Sequence, residues 1–152
     1  MTPSRISASV VAERIGWIDA MLAGIRALPL NSIESFDADP RNLAAAESYV
    51  RRALEALLDL GRHVLAKAFG QPAAEYRDIP RYLSEHGVIG EADAPRWIKM
   101  AGYRNRMVHF YSEISRAELF DICATKLGDV ESAVLAVRVW MAAHPELIDT
   151  SL

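Results

Sequence analysis

The sequence predicts an all-α, up-and-down bundle of about five helices, and three observations carry that expectation. Apolar residues recur at steps of three and four through most of the chain. Proline or glycine stands at most of the breaks between these periodic stretches. No run alternates apolar and polar residues with a period of two, so no sheet is expected.

Each element follows from its own spacing. Val11, Ile15, Ile18, Leu22 and Ile25 form one helical stripe, and Pro29 ends that helix. "NSIESFDADP" reads as a loop. Asp39 offers an N-cap to a second helix, with Pro40 at the first helical position, where a missing N–H costs nothing. That helix runs to about Phe69, with Leu43, Val50, Leu54, Leu57, Gly61 and Val64 along one stripe, until Gly70 and Pro72 stop it. Ala46, Ala53 and Leu60 add a second apolar row. A helix apolar over so wide an arc is either central or covered by a partner chain, and the second option points to a homodimer. "YRDIPRYLSEHGVIG" reads as a short helix closed by Gly87. The next helix starts near Asp93 to Pro95 and carries Trp97, Ile98 and Ala101. The last begins with a capping box, Ser115 and Glu118, between the staple residues Ile114 and Leu119. It continues through Cys123, Leu127, Val130, Val134, Val137 and Met141, and Pro145 closes it.

The 152 residues are read as one domain, 1–152, long enough to bury a core. With 51% hydrophobic and 24% charged residues the balance is that of a globular protein. The formal net charge of -3 leaves no global basic field, so a nucleic-acid site would have to be a local patch. The N-terminal stretch has Glu13 and Arg14 where a signal peptide needs its apolar run, and no stretch reaches the ~20 apolar residues of a membrane span. A cytoplasmic protein without membrane contact is expected. The single cysteine, Cys123, falls on an apolar face and reads as packing. His63, His86 and His144 are scattered, with no metal-ligand spacing, so neither a metal site nor a cofactor is expected. There is no P-loop, GxGxxG or GxSxG motif, and Arg51-Arg52 reads as a solvated face.

Chemistry-bearing residues crowd into "GYRNRMVHFYSEIS", residues 102–115. On an ideal helix Asn105 and His109 share a face, whereas Arg104 and His109 stand roughly 140° apart and flank one polar edge. Tyr111 lies near the end of that helix, where a partner can reach it. Glu47 sits between Leu43 and Val50 on the apolar stripe of the second helix, where an unpaired carboxylate is costly. It either makes a salt bridge across the bundle or orients an arginine of the motif. Arg plus His without a carboxylate pair suits phosphodiester transfer in RNA. The 2′-hydroxyl is a built-in nucleophile, His109 can move its proton, Arg104 can neutralise charge on phosphorus oxygens, and Asn105 can hold the imidazole or the phosphate. By spacing alone a polar seam between helices, or chance, explains these residues better than an active site does.

"RNRMVHFY" resembles the R-x4-H-x-Y motif of HepT-like toxins in the HEPN superfamily, including the Asn directly after the Arg. "AAAESYVRRALEALLDLGRHVLAKAFG" and "EYRDIPRYLSEHGVIG" are similar to that family's second helix and to the helix leading to the motif, so the likeness spans roughly residues 7–143. The resemblance implies a helical bundle that dimerises with the motif lining the cleft between chains. It implies a metal-independent endoribonuclease toxin with Arg104, Asn105 and His109 as its catalytic residues. It further implies a neighbouring minimal nucleotidyltransferase antitoxin that attaches AMP to Tyr111. Glu47 is not carried over; its role as orienting carboxylate rests on its position alone. The superfamily also permits a non-catalytic helical module that serves a nucleotidyltransferase as its regulatory or substrate-binding subunit.

Overall fold

A computed structural model describes residues 2–109 and 114–151, and of His109 the backbone alone. In chain order the elements are β1 (Ile6–Ser7), α1 (Ala8–Arg26), α2 (Ile33–Asp37), α3 (Pro40–Phe69), α4 (Asp78–Glu85), α5 (Ala94–His109), α6 (Arg116–Thr125), α7 (Leu127–Ala143), a 3-10 turn (Pro145–Leu147) and β2 (Ile148–Asp149). Among the described residues no helix is long and apolar enough to cross a membrane.

The axis of the bundle is α3. All the other α-helices pack on it, α1 along the greatest length. Its N-cap is Asp39, whose side chain accepts from the Arg41 N–H at 2.9 Å, with Pro40 in the first turn. Its end is Gly70 at φ 60°, where the Gly70 and Gln71 N–H groups return to Ala66 and Leu65. Both of its apolar rows are buried within the chain: Ala46, Ala53 and Leu60 are covered as fully as Val50, Leu54, Leu57 and Val64. Of the two readings of that wide arc, the central one holds, and the arc no longer argues for a partner chain.

The stripe on α1 is buried residue for residue, and Met21 joins it. Ser7 caps this helix by accepting from the Val10 N–H. On α4, Gly61 of α3 lets the backbone come close, since a Cβ there would stand 2.8 Å from Ile79 Cγ2 and 3.0 Å from Leu83 Cδ1. Gly87 closes α4 at φ 74°, with the Val88 N–H returning to Leu83. α5 buries Trp97, Met100, Ala101, Tyr103 and Met107 and leaves Ile98 exposed.

Three expectations need correction. The loop at "NSIESFDADP" contains α2, capped by Ser32 and anchored by Phe36, which is fully buried against Phe120 at 5.5 Å between ring centroids. The last helix is two. Its stripe stays buried from Leu119 to Val137 while the backbone breaks at Lys126. Thr125 Oγ1 donates to the Asp121 carbonyl four residues back (2.8 Å), a contact that bends helices, and Gly128 just beyond is a poor helix former. These two changes turn five expected helices into seven among the described residues. The third correction is a sheet. β1 and β2 pair in parallel, Ile6 with Ile148 and Ser7 with Asp149, in a strand pair too short for any alternation to show in sequence.

Candidate functional site

The motif rides on α5, and α3 and the start of α4 supply its surroundings. α3 carries Arg51, Glu55, Asp59 and Arg62 at steps of four, four and three, so they line one polar edge. Arg104 of α5 lies against this edge, its side chain 20% exposed. Its Nε stands 3.6 Å from Glu55 Oε1, an ion pair across a gap longer than a hydrogen bond, and that Nε is buried with no hydrogen-bond partner among the described residues. Glu55 also accepts from Arg51 at 3.1 Å. Arg104 Nη1 donates to Asn105 Oδ1 at 3.2 Å. The guanidinium carbon lies 4.5 Å from the centre of the Tyr76 ring, a cation–π distance.

Tyr76 is itself fixed. Its hydroxyl donates to Asp59 Oδ1 at 2.9 Å. Arg62 reaches the same oxygen, lies 4.7 Å from the Tyr76 ring centre, and donates to the carbonyls of Ala73 and Ala74. Burial, with the hydrogen bond to Asp59 and that carboxylate's charge, raises the Tyr76 phenol above its usual pKa against the opposing pull of Arg104 and Arg62. The phenol therefore stays protonated and a donor. Arg62, Tyr76, Arg77, Arg104 and Asn105 border an open, polar cleft of about 630 Å³. A second crevice, under Met100 and Tyr103, is apolar and about 20 Å³, room for little more than a water.

On the far side of α5, Arg106 pairs with Glu118 of α6 through two bonds of 2.7 and 3.2 Å. Ser115 caps α6 as expected, accepting from the Glu118 N–H, but the Glu118 carboxylate turns to Arg106 rather than back to the cap.

Arg104 and Asn105 are thus brought together at the cleft. The side chain of His109 and the whole of Tyr111 lie outside the described residues. Glu47 is exposed, with no hydrogen bond or ion pair among the described residues, and the carboxylate beside Arg104 is Glu55, two turns further along α3. Glu47 stands at the edge of the apolar stripe, next to a Leu43 that is only partly covered, and its own side chain reaches solvent. Glu55, Asp59, Arg62 and Tyr76 were not singled out from sequence. The four-four-three polar row on α3 was the readable signal for the first three; Tyr76 has none, because only the fold brings it to α5.

The remaining histidines pack. His63 accepts from the Ser7 N–H, His86 stacks on Phe69 at 4.1 Å, and His144 stacks on Trp140 at 4.4 Å while its Nδ1 bonds the Trp140 carbonyl. Cys123 is buried, and burial pushes its thiol up to about 12, far from a reactive thiolate. Among the described residues no three His, Cys, Asp or Glu side chains converge in a way that could hold a metal ion.

No curated protein sequence matches the chain. Several solved structures share its fold. A toxin–antitoxin structure with AMP-PNP superposes with a TM-score of 0.77 at 19% identity, covering 86% of this chain and 98% of its own. A tri-AMPylated HEPN toxin of Shewanella oneidensis, in complex with an MNT antitoxin, gives 0.77 at 20% identity over 86% and 97%. YutE of Bacillus subtilis, a cytosolic protein of unknown function, gives 0.74 at 18% over 94% and 95%. The family model described as ribonuclease HepT-like matches residues 18–137, from the middle of α1 to the last turns of α7 and across the whole cleft, and the chain belongs to that HepT-like family.

Proposed function

We propose that the protein is a metal-independent RNA endonuclease acting as the toxin of a toxin–antitoxin pair, with RNA phosphate entering the cleft at Arg104. One observation carries this reading most. Arg104 is held by its neighbours at the border of an open polar cleft, on the same helix as His109, in a chain of the HepT-like family. Acidic overall, the protein places Arg62, Arg77 and Arg104 along this cleft against one carboxylate, Glu75, a local excess of positive charge of the kind a nucleic-acid site needs.

In this mechanism the RNA 2′-oxygen attacks the adjacent phosphorus and the bond to the 5′-oxygen breaks. His109 takes the 2′-proton, and an imidazolium returns a proton to the departing oxygen. Arg104 neutralises the charge that builds on the non-bridging oxygens. In a homodimer with facing clefts, acid and base come from different chains. Silencing follows from AMP transfer to Tyr111 by a cognate minimal nucleotidyltransferase. Each phosphodiester adds a negative charge beside Arg104 and occupies the path of the RNA backbone.

The test is cleavage of total bacterial RNA by the purified protein in EDTA. Arg104→Ala and His109→Ala should each lose ~100–1,000-fold or more in rate while the melting temperature changes little. Activity that needs added magnesium, or that survives either substitution, contradicts the reading and favours a non-catalytic subunit of a nucleotidyltransferase. Intact mass after co-expression with the antitoxin should show AMP increments on the wild type and none on Tyr111→Phe. Light scattering that gives a monomer at micromolar concentration would remove the shared-cleft mechanism.

A further inference from the structure

We propose that Tyr76, which lies outside the R-x4-H-x-Y motif, is a positioning residue that holds the Arg104 guanidinium in the orientation from which it meets phosphate. The inference rests on the ribonuclease reading above for its effect on rate, and on geometry alone for its effect on Arg104. An arginine side chain has many rotamers, and fixing one beside an open cleft needs contacts on more than one side. Arg104 has three: Glu55 at Nε, Asn105 at Nη1 and the Tyr76 ring at the guanidinium plane. The first is 3.6 Å long and shares its carboxylate with Arg51, so it sets direction weakly. The second ties Arg104 to its own chain neighbour and moves with it. Tyr76, like Glu55, reaches Arg104 from outside α5, and it is anchored independently of Arg104. Its hydroxyl is bound to Asp59, and Asp59 is bound to Arg62. Arg62 in turn pins the carbonyls of Ala73 and Ala74, just before Tyr76 in the chain. Each Arg62 nitrogen makes one bond within that frame, so Arg62 helps hold the platform while its charge still borders the cleft. The chain from α3 through Asp59 and Tyr76 to Arg104 forms a rigid backing on one side of the cleft.

The ring and the hydroxyl have separable roles. The ring supplies the flat, electron-rich face for the guanidinium; the hydroxyl keeps the ring in place. Tyr76→Phe keeps the face and loses one anchor. Tyr76→Leu removes the face. Tyr76→Gln also removes it but keeps a donor for Asp59, and it tests stacking even where Leu costs folding.

Cleavage of a fluorescent mixed-sequence RNA by full-length variants reads the effect, with Arg104→Ala as the inactive reference. Displacement of a transition-state donor by about 1 Å costs on the order of 100-fold, so Leu and Gln should lower kcat by about 10- to 100-fold. KM should stay within about threefold, and Phe should remain close to the wild type. Wild-type kcat in Leu and Gln overturns the proposal, and so does an equal loss in Phe, which would assign the effect to the Asp59 bond. The Arg104 Nε–Hε resonance gives a second readout without RNA. It should move toward the free-arginine position in Leu and Gln and hold in Phe, and a resonance unmoved by loss of the ring overturns the proposal. A wild type that cleaves no RNA removes the ribonuclease reading, and the resonance then decides by itself whether Tyr76 holds Arg104.

Discussion

Two regions of the molecule bring rings and cationic or ionisable side chains into contact, and they use them in opposite ways. Near the C-terminal ends of α3, α4 and α7, His86 stacks on Phe69, Phe69 tilts against Trp140 at 5.7 Å, and Trp140 stacks on His144. At the middle of α3, Tyr76 faces the guanidinium groups of Arg62 and Arg104. The first group is a seam: rings cover one another, and the free nitrogen of His144 is satisfied by a backbone carbonyl. The second borders a cleft, and one of its nitrogens, Arg104 Nε, is buried and unbonded. Residue type does not separate the two; an open approach does. Polar groups that border open space are where a ligand can bind.

The sharpest way to break this contrast is to damage the seam and watch the cleft. Trp140→Ala should cost about 3–5 kcal/mol of stability, as large-to-small core changes do, while the kcat of the folded fraction stays within about twofold. A melting curve paired with cleavage kinetics at low temperature checks it; a kcat that falls with the stability would tie the two regions together.

A smaller change reaches the cleft through packing. Gly61→Ala places a methyl against Ile79 and Leu83 and should cost about 1–3 kcal/mol by overpacking. Because α4 begins next to Tyr76 and Arg77, this substitution should also lower activity, as Trp140→Ala should not. Equal behaviour of the two variants would show that α4 does not position the cleft wall.

The third test separates the carboxylates. Glu55→Gln removes the ion pair to Arg104 and should reduce kcat several-fold, worth about 1 kcal/mol. Glu47→Gln, on an exposed face, should be silent in both activity and stability. A loss at Glu47 and none at Glu55 would reverse the assignment made from the fold.

The subtlest test concerns pH and the histidine that lies in neither region. Burial, then the charges of Lys67 and Arg14, lower the pKa of His63 from 6.5, and its Nε2 must stay unprotonated to accept from Ser7. The unfolded chain therefore binds more protons than the folded one just below pH 6.5. Stability is full above that value, falls as pH drops toward the lowered folded pKa, and levels off beneath it. Denaturant titrations between pH 7 and 5 should show this slope in the wild type and a flatter one in His63→Gln. An identical slope in both would mean that His63 contributes nothing to it.

How far the sequence could be read depended on the length of each pattern. The stripes on α1 and α3, the start at Pro40 and the stops at Gly70 and Gly87 were legible, the stripes because several residues repeat one signal and the boundaries because proline and glycine have fixed backbone preferences. α2 was not, since a five-residue helix with one buried ring has no period to detect. The break at Lys126 was hidden because the apolar stripe crosses it unchanged; the local features beside it, the Thr125 hydroxyl on the Asp121 carbonyl and Gly128, leave no mark on the hydrophobic pattern. Arg104 and Asn105 were legible as a local motif. Glu55 and Tyr76 become neighbours of Arg104 only through contacts between elements, which periodicity along one helix does not encode.

The parallel pairing of Ile6 with Ile148 joins positions that are 142 residues apart (148 − 6). During synthesis, at roughly 5–20 residues per second, β1 leaves the ribosome first and waits several seconds for the strand that completes it. Contacts this distant in sequence are slow to form and form late. The order of manufacture and the order of assembly therefore run in opposite directions at this seam. α1 can lie down on α3 as soon as both exist, with Ser7 already at its cap and His63 ready to receive the Ser7 N–H. The strand that holds Ile148 comes after every α-helix in the chain, and its arrival is the moment at which the chain becomes topologically closed.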